Sequence, residues 1–206
     1  NPMYYAEHFY MKNEEGNWYE VTEIVIPNTI TKIGDYQFYG FNDIVNISIL
    51  ESVTKIGNNA FSNCSGIVNI VIPKNVRGYD VSQIAAYVFD ERSDIISVSI
   101  PDTITRINYG AFRFCSNIER VYITDIAKWC EIEFIYFSAN PMCDDADLYL
   151  NGEKLTELVI PDTVTAIKNF AFRGYTSLTS ITIPDSVTSI GNYAFYGCDL
   201  LNYNEY

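Results

Sequence analysis

The chain has 206 residues, and 13 basic against 26 acidic residues give it a net charge of −13. A hydrophobic fraction of 48% excludes a disordered protein, and no apolar run reaches the roughly 18 residues that a membrane-spanning helix needs. Because an acidic surface repels phosphate backbones and anionic lipids, we expect neither nucleic acid among its partners nor insertion into a membrane.

Residues from about 4 to 26 predict an N-terminal β-hairpin. Phe9–Lys12 is typical of a short strand, and the polar run Asn13–Asn17 that follows is typical of a turn. The next stretch, Thr22–Pro27, is repeated almost unchanged at Thr156–Pro161. We therefore expect the hairpin to be the second half of an interrupted coil, and the chain to be a fragment of a longer protein.

The rest of the chain is a repeat marked by seven anchor isoleucines. Their separations are 23, 23, 28, 23, 37 and 23 residues, and most units carry an Ile seven positions after the anchor and a Phe five positions further on. The anchors are Ile26, Ile49, Ile72, Ile100, Ile123, Ile160 and Ile183. A lone unit of this length cannot bury its apolar face, whereas stacked units bury a continuous core. The period predicts a single solenoid domain over residues 1–206.

Alternation within each unit predicts a short strand that ends at the anchor. In the segment Ser177–Ile183, Ile181 and Ile183 alternate with the outward residues Ser180 and Thr182. A proline follows most anchors and ends the strand, since it lacks the N–H that a ladder needs.

The unit I-P-D-[ST]-V-T-x-I-G-x-x-A-F-x-x-C-x-x-L-x-x-I-x-I closely resembles the BspA-like, or Treponema-type, leucine-rich repeat. The resemblance covers about residues 21–123 and 155–206, and Arg92 stands where the family favours Cys. It implies a right-handed leucine-rich-repeat solenoid of ~23-residue coils with a parallel β-sheet on one face and few or no regular helices. It also implies a bacterial protein that is extracellular or attached to the cell surface and takes part in adhesion.

An irregular interruption is expected at about 124–155, where aromatic and acidic residues replace the repeat. Asn151-Gly152 within it predicts a type I′ hairpin turn. Its aromatic residues either form a binding surface, which irregular segments on a rigid scaffold often do, or pack over the edge of a coil. Pairing of Cys130 with Cys143 is left open by the sequence.

The sequence offers only two candidates for a catalytic or metal site, and neither has the residue types and spacing that such a site needs. His8 is the only histidine and is expected at the surface without a partner for nucleophilic catalysis. Asp144, Asp145 and Asp147 lack the glycine and distal glutamate of an EF-hand loop and are interpreted as a solvated turn. We expect no enzyme activity and no cofactor.

The three cysteines at one repeat position, Cys64, Cys115 and Cys198, are predicted to be free, buried thiols. Adjacent coils are about 4.8 Å apart, and Cys64 and Cys115 are two coils apart, beyond the roughly 7 Å that a disulfide spans.

Most outward positions on the predicted sheet are small and polar, and Arg120 with Tyr122 is the exception. Arg and Tyr are the types that dominate binding energy in interfaces. The candidate partner-binding residues are Arg120, Tyr122, Trp129, Tyr136 and Glu157.

The first hypothesis for function is a non-catalytic recognition or adhesion module, monomeric, that binds a protein or a glycan. The alternatives are a passive spacer and an accessory domain within a larger surface protein.

Overall fold

The structure is a computed structural model, and it describes residues 10–27, 29–41, 46–48, 53, 55–64, 69–71, 75–76, 79–80, 82–142 and 145–201. Short strands dominate these residues, with one six-residue α-helix, α1 (Ile126–Glu131), and a 3₁₀ helix at Phe137–Ala139. In chain order the strands are β1 (Tyr10–Lys12), β2 (Trp18–Glu20), β3 (Glu23–Val25), β4 (Lys32–Ile33), β5 (Asn46–Ser48), β6 (Lys55–Ile56), β7 (Asn69–Val71), β8 (Asn75–Val76), β9 (Tyr79–Asp80), β10 (Gln83–Ile84), β11 (Ser97–Ser99), β12 (Arg106–Ile107), β13 (Arg120–Ile123), β14 (Glu133–Phe134), β15 (Asp147–Leu150), β16 (Glu153–Lys154), β17 (Glu157–Val159), β18 (Ala166–Ile167), β19 (Ser180–Thr182) and β20 (Ser189–Ile190).

The strands that precede the anchors stack in parallel, one per coil. β3 pairs with β5, β7 with β11, β11 with β13, β13 with β15, and β17 with β19. Ser97 lies opposite Arg120 and Glu157 opposite Ser180, in each case 23 positions later in the chain. A solenoid of ~23-residue coils with a parallel sheet along one face is confirmed.

A second row of two-residue strands follows the corner of each coil. β4 pairs with β6, β10 with β12 and then β14, and β18 with β20, all in parallel. Gly57 at such a corner is buried, and a Cβ there would lie only 2.5 Å from the backbone nitrogen of Asp35 in the preceding coil. Glycine is therefore required where two coils approach each other this closely.

Phenylalanine rings stack along the solenoid axis and form the centre of the core. Phe61 lies 5.4 Å from Phe38 and 6.1 Å from Phe89, and Phe89 lies 5.3 Å from Phe112, between ring centroids. Phe172 and Phe195 continue the arrangement at 5.3 Å. Each fully buried Phe is worth roughly 1.5–3 kcal/mol, so stacking the coils supplies the stability that one coil lacks.

Left-handed backbone occurs at two positions, four residues apart, in six of the described coils. The pairs are Tyr36 and Gly40, Asn59 and Asn63, Tyr87 and Glu91, Gly110 and Phe114, Phe170 and Gly174, and Tyr193 and Gly197. Only some of these positions carry glycine, because the paired backbone hydrogen bonds between coils hold the others in place. The two reversals turn the chain around the end of the Phe stack.

The repeat position of Cys64, Cys115 and Cys198 supplies a side-chain hydrogen-bond donor in these three coils. Each thiol donates to the carbonyl of the Phe in the preceding coil, at 2.7, 2.9 and 3.2 Å respectively. All three are free and buried, as predicted. In the third coil Arg92 takes over this role, because its Nη1 donates to the Phe61 carbonyl at 3.2 Å.

The segment 124–155 runs as one longer coil followed by a hairpin. Asp125 caps α1 by accepting from the Lys128 backbone N–H at 3.0 Å. β14 then joins the short-strand row, and β15 joins the main sheet with Asp147 opposite Arg120, 27 positions later. The predicted Asn151-Gly152 turn is confirmed, since both residues have positive φ and connect the antiparallel strands β15 and β16.

The hairpin separates this coil from the next one, and side chains join the two. Within the described residues β17 pairs only with β19. The Trp129 Nε1–H donates to the Ala171 carbonyl at 2.9 Å, and the Asn140 amide donates to the Phe170 carbonyl at 2.7 Å. The Tyr175 hydroxyl donates to the carbonyl of Leu148 or Leu155. The core therefore continues where the main sheet does not.

The N-terminal hairpin has the same layout. β1 and β2 are antiparallel with Lys12 opposite Trp18, and β3 begins three residues after β2, as β17 does after β16. Residues 4–9 of the predicted hairpin, His8 among them, lie outside the described residues.

Candidate partner-binding site

The outward face of the main sheet changes character at β13 and β15. In β11 the outward residues are Ser97 and Ser99. In the separate sheet beyond the hairpin, β19 exposes Ser180 and Thr182, and β17 exposes Glu157 and Val159. Between these strands the chain places Arg120 and Tyr122 on β13 beside Asp147 and Tyr149 on β15. We call Arg120, Tyr122, Asp147, Tyr149 and Lys154 the sheet-face cluster.

Two tyrosines form an aromatic platform within the sheet-face cluster. The ring centroids of Tyr122 and Tyr149 are 5.1 Å apart with the ring planes tilted by 41°, and both side chains are partly exposed. Tyr149 also lies opposite Lys154 across the hairpin. The two rings occupy neighbouring coils, so together they span the distance between two strands.

Charged side chains of both signs surround the platform. Lys154 Nζ lies 2.7 Å from Asp147 Oδ2, and Arg120 Nη2 lies 3.4 Å from Glu119 Oε2. The Arg120 Nε–H is buried and makes no hydrogen bond to any described residue. An ion pair at 3.4 Å with a spare donor leaves this guanidinium only loosely held.

A groove of about 630 Å³ runs beside these residues. Its lining comprises Ile96, Ser116, Asn117, Ile118, Glu119, Arg120, Asp145, Asp147 and Tyr149. The polar residues come from the turn before β13 and the segment before β15, which parallel pairing brings to the same end of the sheet. This sheet-face groove adjoins the platform through Tyr149.

The structure separates the five candidate residues predicted from the sequence. Arg120 and Tyr122 lie together on β13 as expected. Glu157 is exposed but lies on β17, in a different sheet from β13. Tyr136 is 42% exposed and stacks on Tyr109, at 5.3 Å between ring centroids, along the turns away from the main sheet.

Trp129 requires a correction, because it is 1% exposed and cannot contact a partner. Its indole ring packs edge-on against Phe134 at 5.3 Å, and its N–H is bonded to the next coil. Of the two interpretations of the aromatic interruption, packing within the array is the one that applies to Trp129.

Asp147, Tyr149 and Lys154 were not predicted from the sequence. The pattern indicated an interruption over residues 124–155, so no strand of the sheet was expected there and Glu157 was the next candidate residue on a strand. The signal was the 37-residue interval, which divides into a coil of 27 residues (Arg120 to Asp147) and ten further residues to Glu157. The alternating run Asp147–Leu150 before the Asn-Gly turn marks the strand that closes this coil.

A second groove, of about 770 Å³, follows the row of short strands past β12, β14, β18 and β20. Its charged groups are largely satisfied, since Arg106 Nη1 lies 2.6 Å from Glu133 Oε2 and its Nε–H donates to Asn108 at 3.1 Å.

Burial favours the protonated form of three cysteine thiols, those of Cys64, Cys130 and Cys198. Burial raises the pKa of Cys64 and Cys198 to about 11 and that of Cys130 to about 12. Nucleophilic cysteines have a lowered pKa instead. Cys130 is a free, buried thiol, whereas Cys143 lies outside the described residues.

Within the described ranges no group of three or more His, Cys, Asp or Glu side chains is arranged to hold a metal ion. No helix in this part of the chain is both long and apolar enough to cross a membrane.

The family model for the BspA type leucine rich repeat region matches six copies over residues 16–141 and 145–205. The chain belongs to the BspA-type leucine-rich-repeat family. The match includes residues 124–141, in agreement with the coil that the structure shows there. A search of curated proteins gives no significant match.

Several solved structures of bacterial leucine-rich-repeat proteins are similar to this chain. A Bacteroides ovatus leucine-rich repeat protein is 25% identical, with a TM-score of 0.55 over 88% of this chain and 48% of that one. The Treponema pallidum leucine rich repeat protein is 18% identical, with a TM-score of 0.46 over 97% and 90% of the two chains. A leucine rich cell surface protein of Faecalibacterium prausnitzii is 22% identical, with a TM-score of 0.47 over 88% and 39%. The BspA-type chain thus spans about half the length of the Bacteroides relative.

Proposed function

We propose that this BspA-type solenoid is a non-catalytic recognition module that binds a protein or glycan partner through the sheet-face cluster. The observation that carries the proposal is the change on the outward sheet face, from Ser97 and Ser99 on β11 to Arg120, Tyr122, Asp147, Tyr149 and Lys154 on the next strands. Aromatic and arginine side chains supply most of the binding energy in known interfaces. They occur here on a rigid sheet, which limits the entropy lost on binding.

The irregular coil accounts for this placement. A coil of 27 residues adds Asp147 and Tyr149 to the face, and the hairpin adds Lys154 at its edge. The scaffold keeps the same core, while the inserted residues alter only the exposed surface. Binding residues are commonly carried in this way, by irregular segments on a regular scaffold.

An extracellular or cell-surface location in a bacterium belongs to the same proposal. Family membership supports it, because BspA-type repeats are associated with bacterial surface proteins.

Buried thiols with raised pKa support the absence of cysteine-based catalysis, because a protonated thiol is a poor nucleophile.

The test is binding of the purified chain to a panel of matrix proteins, mucins and glycans at physiological salt. We expect a reproducible ligand whose affinity falls at least roughly ten-fold in Tyr122→Ala, since truncating an interface hot spot typically costs about 2 kcal/mol or more. Tyr193→Ala is the matched control, because Tyr193 is 61% exposed and lies on the turns. A blank across the panel would favour the passive spacer, and equal losses in both variants would show that the ligand does not bind through the sheet-face cluster.

A further inference from the structure

We infer that the sheet-face groove, with the Tyr122–Tyr149 platform beside it, binds a neutral oligosaccharide. This names the partner class of the recognition site proposed above and rests on that proposal. Four features of the site carry the inference, namely its mixture of donors and acceptors, its loosely held arginine, its balance of charge and its aromatic rings.

The polar lining mixes hydrogen-bond donors with acceptors over a short distance. Glu119, Asp145 and Asp147 only accept, Arg120 only donates, and the exposed Asn117 amide does both. A ligand that satisfies all of them needs groups that donate and accept from the same atom. The hydroxyls of a sugar have this property, and adjacent hydroxyls match the planar pairs of atoms on carboxylate, amide and guanidinium groups.

Arg120 keeps donors available for such a ligand. By comparison, Arg92 makes two bonds of 2.7 Å to Asp94, and Arg113 makes bonds of 2.8 and 2.6 Å to Asp90. Arg120 has one ion pair at 3.4 Å and an Nε–H without a hydrogen bond to the described residues. Because the Arg120 side chain is 42% exposed, its terminal Nη groups can reach a ligand oxygen without breaking a short bond.

The charges at the site argue against an anionic sugar. Lys154 is already paired with Asp147, and Arg120 faces Glu119. Asp145 adds a further exposed carboxylate, and the whole chain has a net charge of −13. Sialylated and sulfated glycans are repelled by this field, whereas a neutral glycan is not.

Tyr122 and Tyr149 supply the surface on which a sugar ring rests. Their centroids are 5.1 Å apart on adjacent strands, and a pyranose presents a face of C–H groups to such rings. The negative face of an aromatic ring attracts the weakly positive C–H hydrogens, and the contact removes apolar surface from water. A chain of sugar units that packs on the platform also reaches the polar lining of the groove, since Tyr149 belongs to both.

The experiment measures binding of the whole chain to neutral oligosaccharides of glucose, mannose, galactose and N-acetylglucosamine, by titration calorimetry and saturation-transfer NMR. Sialyllactose, heparin and a nona-arginine peptide are the contrasting probes. We expect binding of at least one neutral series and weaker binding of its sialylated form. Affinity should fall roughly ten-fold in Tyr149→Ala and several-fold in Arg120→Gln, and remain unchanged in Tyr193→Ala.

The possible outcomes separate this inference from the broader proposal. Preference for heparin, sialyllactose or the arginine peptide over every neutral sugar would overturn the neutral-glycan inference. So would a protein ligand that is lost in Tyr122→Ala while neutral sugars fail to bind, and in that case the recognition function would stand. Failure of every protein and glycan probe would overturn both. Arg120→Gln changes no core residue, so the test holds even where Tyr149→Ala fails to fold.

Discussion

At the scale of single residues, the departure of the third coil from the repeat is explained by what Arg92 contacts. Its side chain is fully buried, pairs with Asp94, and reaches the Phe61 carbonyl that the thiol of a consensus Cys would reach. In these coils the position supplies a hydrogen-bond donor to the preceding coil, whereas the first described coil carries Phe41 there. Cys, Arg and Tyr each provide one, at Cys64, Arg92 and Tyr175.

Arg92→Ala should destabilise the protein strongly. It leaves Asp94 and the Phe61 carbonyl without the buried guanidinium, and breaking a buried ion pair typically costs about 3–5 kcal/mol. Arg106→Ala is the control, because the Arg106–Glu133 pair is largely exposed and worth less than about 1 kcal/mol. Urea unfolding followed by circular dichroism measures both, and similar losses in the two variants would contradict the assignment.

The buried thiols should make stability depend on pH in the alkaline range. Burial holds the pKa of Cys64 and Cys198 at about 11, above the ordinary value of 9.0. Their contribution to the free energy of unfolding is therefore complete below pH 9 and is lost as the pH rises towards 11. Urea unfolding at pH 8 and pH 10 should show a smaller difference in Cys64→Ala than in the wild type.

Site-resolved alkylation provides a second measurement of the same effect. Cys64, Cys130 and Cys198 should react slowly at pH 8 in the native protein and rapidly in urea, because only the thiolate is nucleophilic. Rapid native labelling of Cys64 or Cys198 would contradict their burial.

At the scale of elements, the need for glycine at a corner depends on whether the coil packs against a preceding coil. The first described coil has no described coil before it. Gly34 and Gly57 occupy the same repeat position in consecutive coils, 23 residues apart. A Cβ at Gly57 meets the Asp35 backbone, whereas one at Gly34 meets only the movable end of Gln37, at 3.3 Å.

Gly57→Ala should therefore cost about 1–3 kcal/mol, the usual penalty for overpacking, and Gly34→Ala should be nearly neutral. Thermal unfolding of the two variants side by side is the measurement. Equal effects would show that the requirement for glycine does not come from the neighbouring coil.

The sequence predicts some elements of this fold better than others, for a physical reason. Anchors such as Ile100 and Ile160 are buried at a fixed period, so the strands and the stacked coils followed from the spacing, and the resemblance to the BspA-like repeat implied the parallel sheet. Residues 124–155 keep the coil but not the period. There the path is set by contacts such as Trp129 with Ala171, 42 positions apart, which no local pattern indicates. Arg120 and Tyr122 were predictable for the same reason as the anchors, whereas Tyr149 depended on the unpredicted register.

At the scale of the whole molecule, the hydrophobic core stays continuous past the longer coil, although the main sheet ends at the hairpin. Phe172 and Leu158 beyond the hairpin pack in the same cluster as Leu148 before it. On the turns, Tyr136 lies 5.3 Å from Tyr109 and 6.3 Å from Phe170, so aromatic contacts also cross the division. The hairpin therefore adds an exposed edge at the sheet-face cluster without separating the array into two bodies.

Both proposals depend on β15 being the neighbour of β13, and disulfide trapping tests this most directly. With Cys143 replaced by Ser, Tyr122→Cys combined with Tyr149→Cys should form a disulfide under mild oxidation, because opposed residues on adjacent parallel strands lie about 4.8 Å apart. Tyr122→Cys combined with Val159→Cys should not, because β17 belongs to another sheet. Trapping of the Val159 pair in place of the Tyr149 pair would show that the interruption loops out and that the sheet-face cluster does not exist.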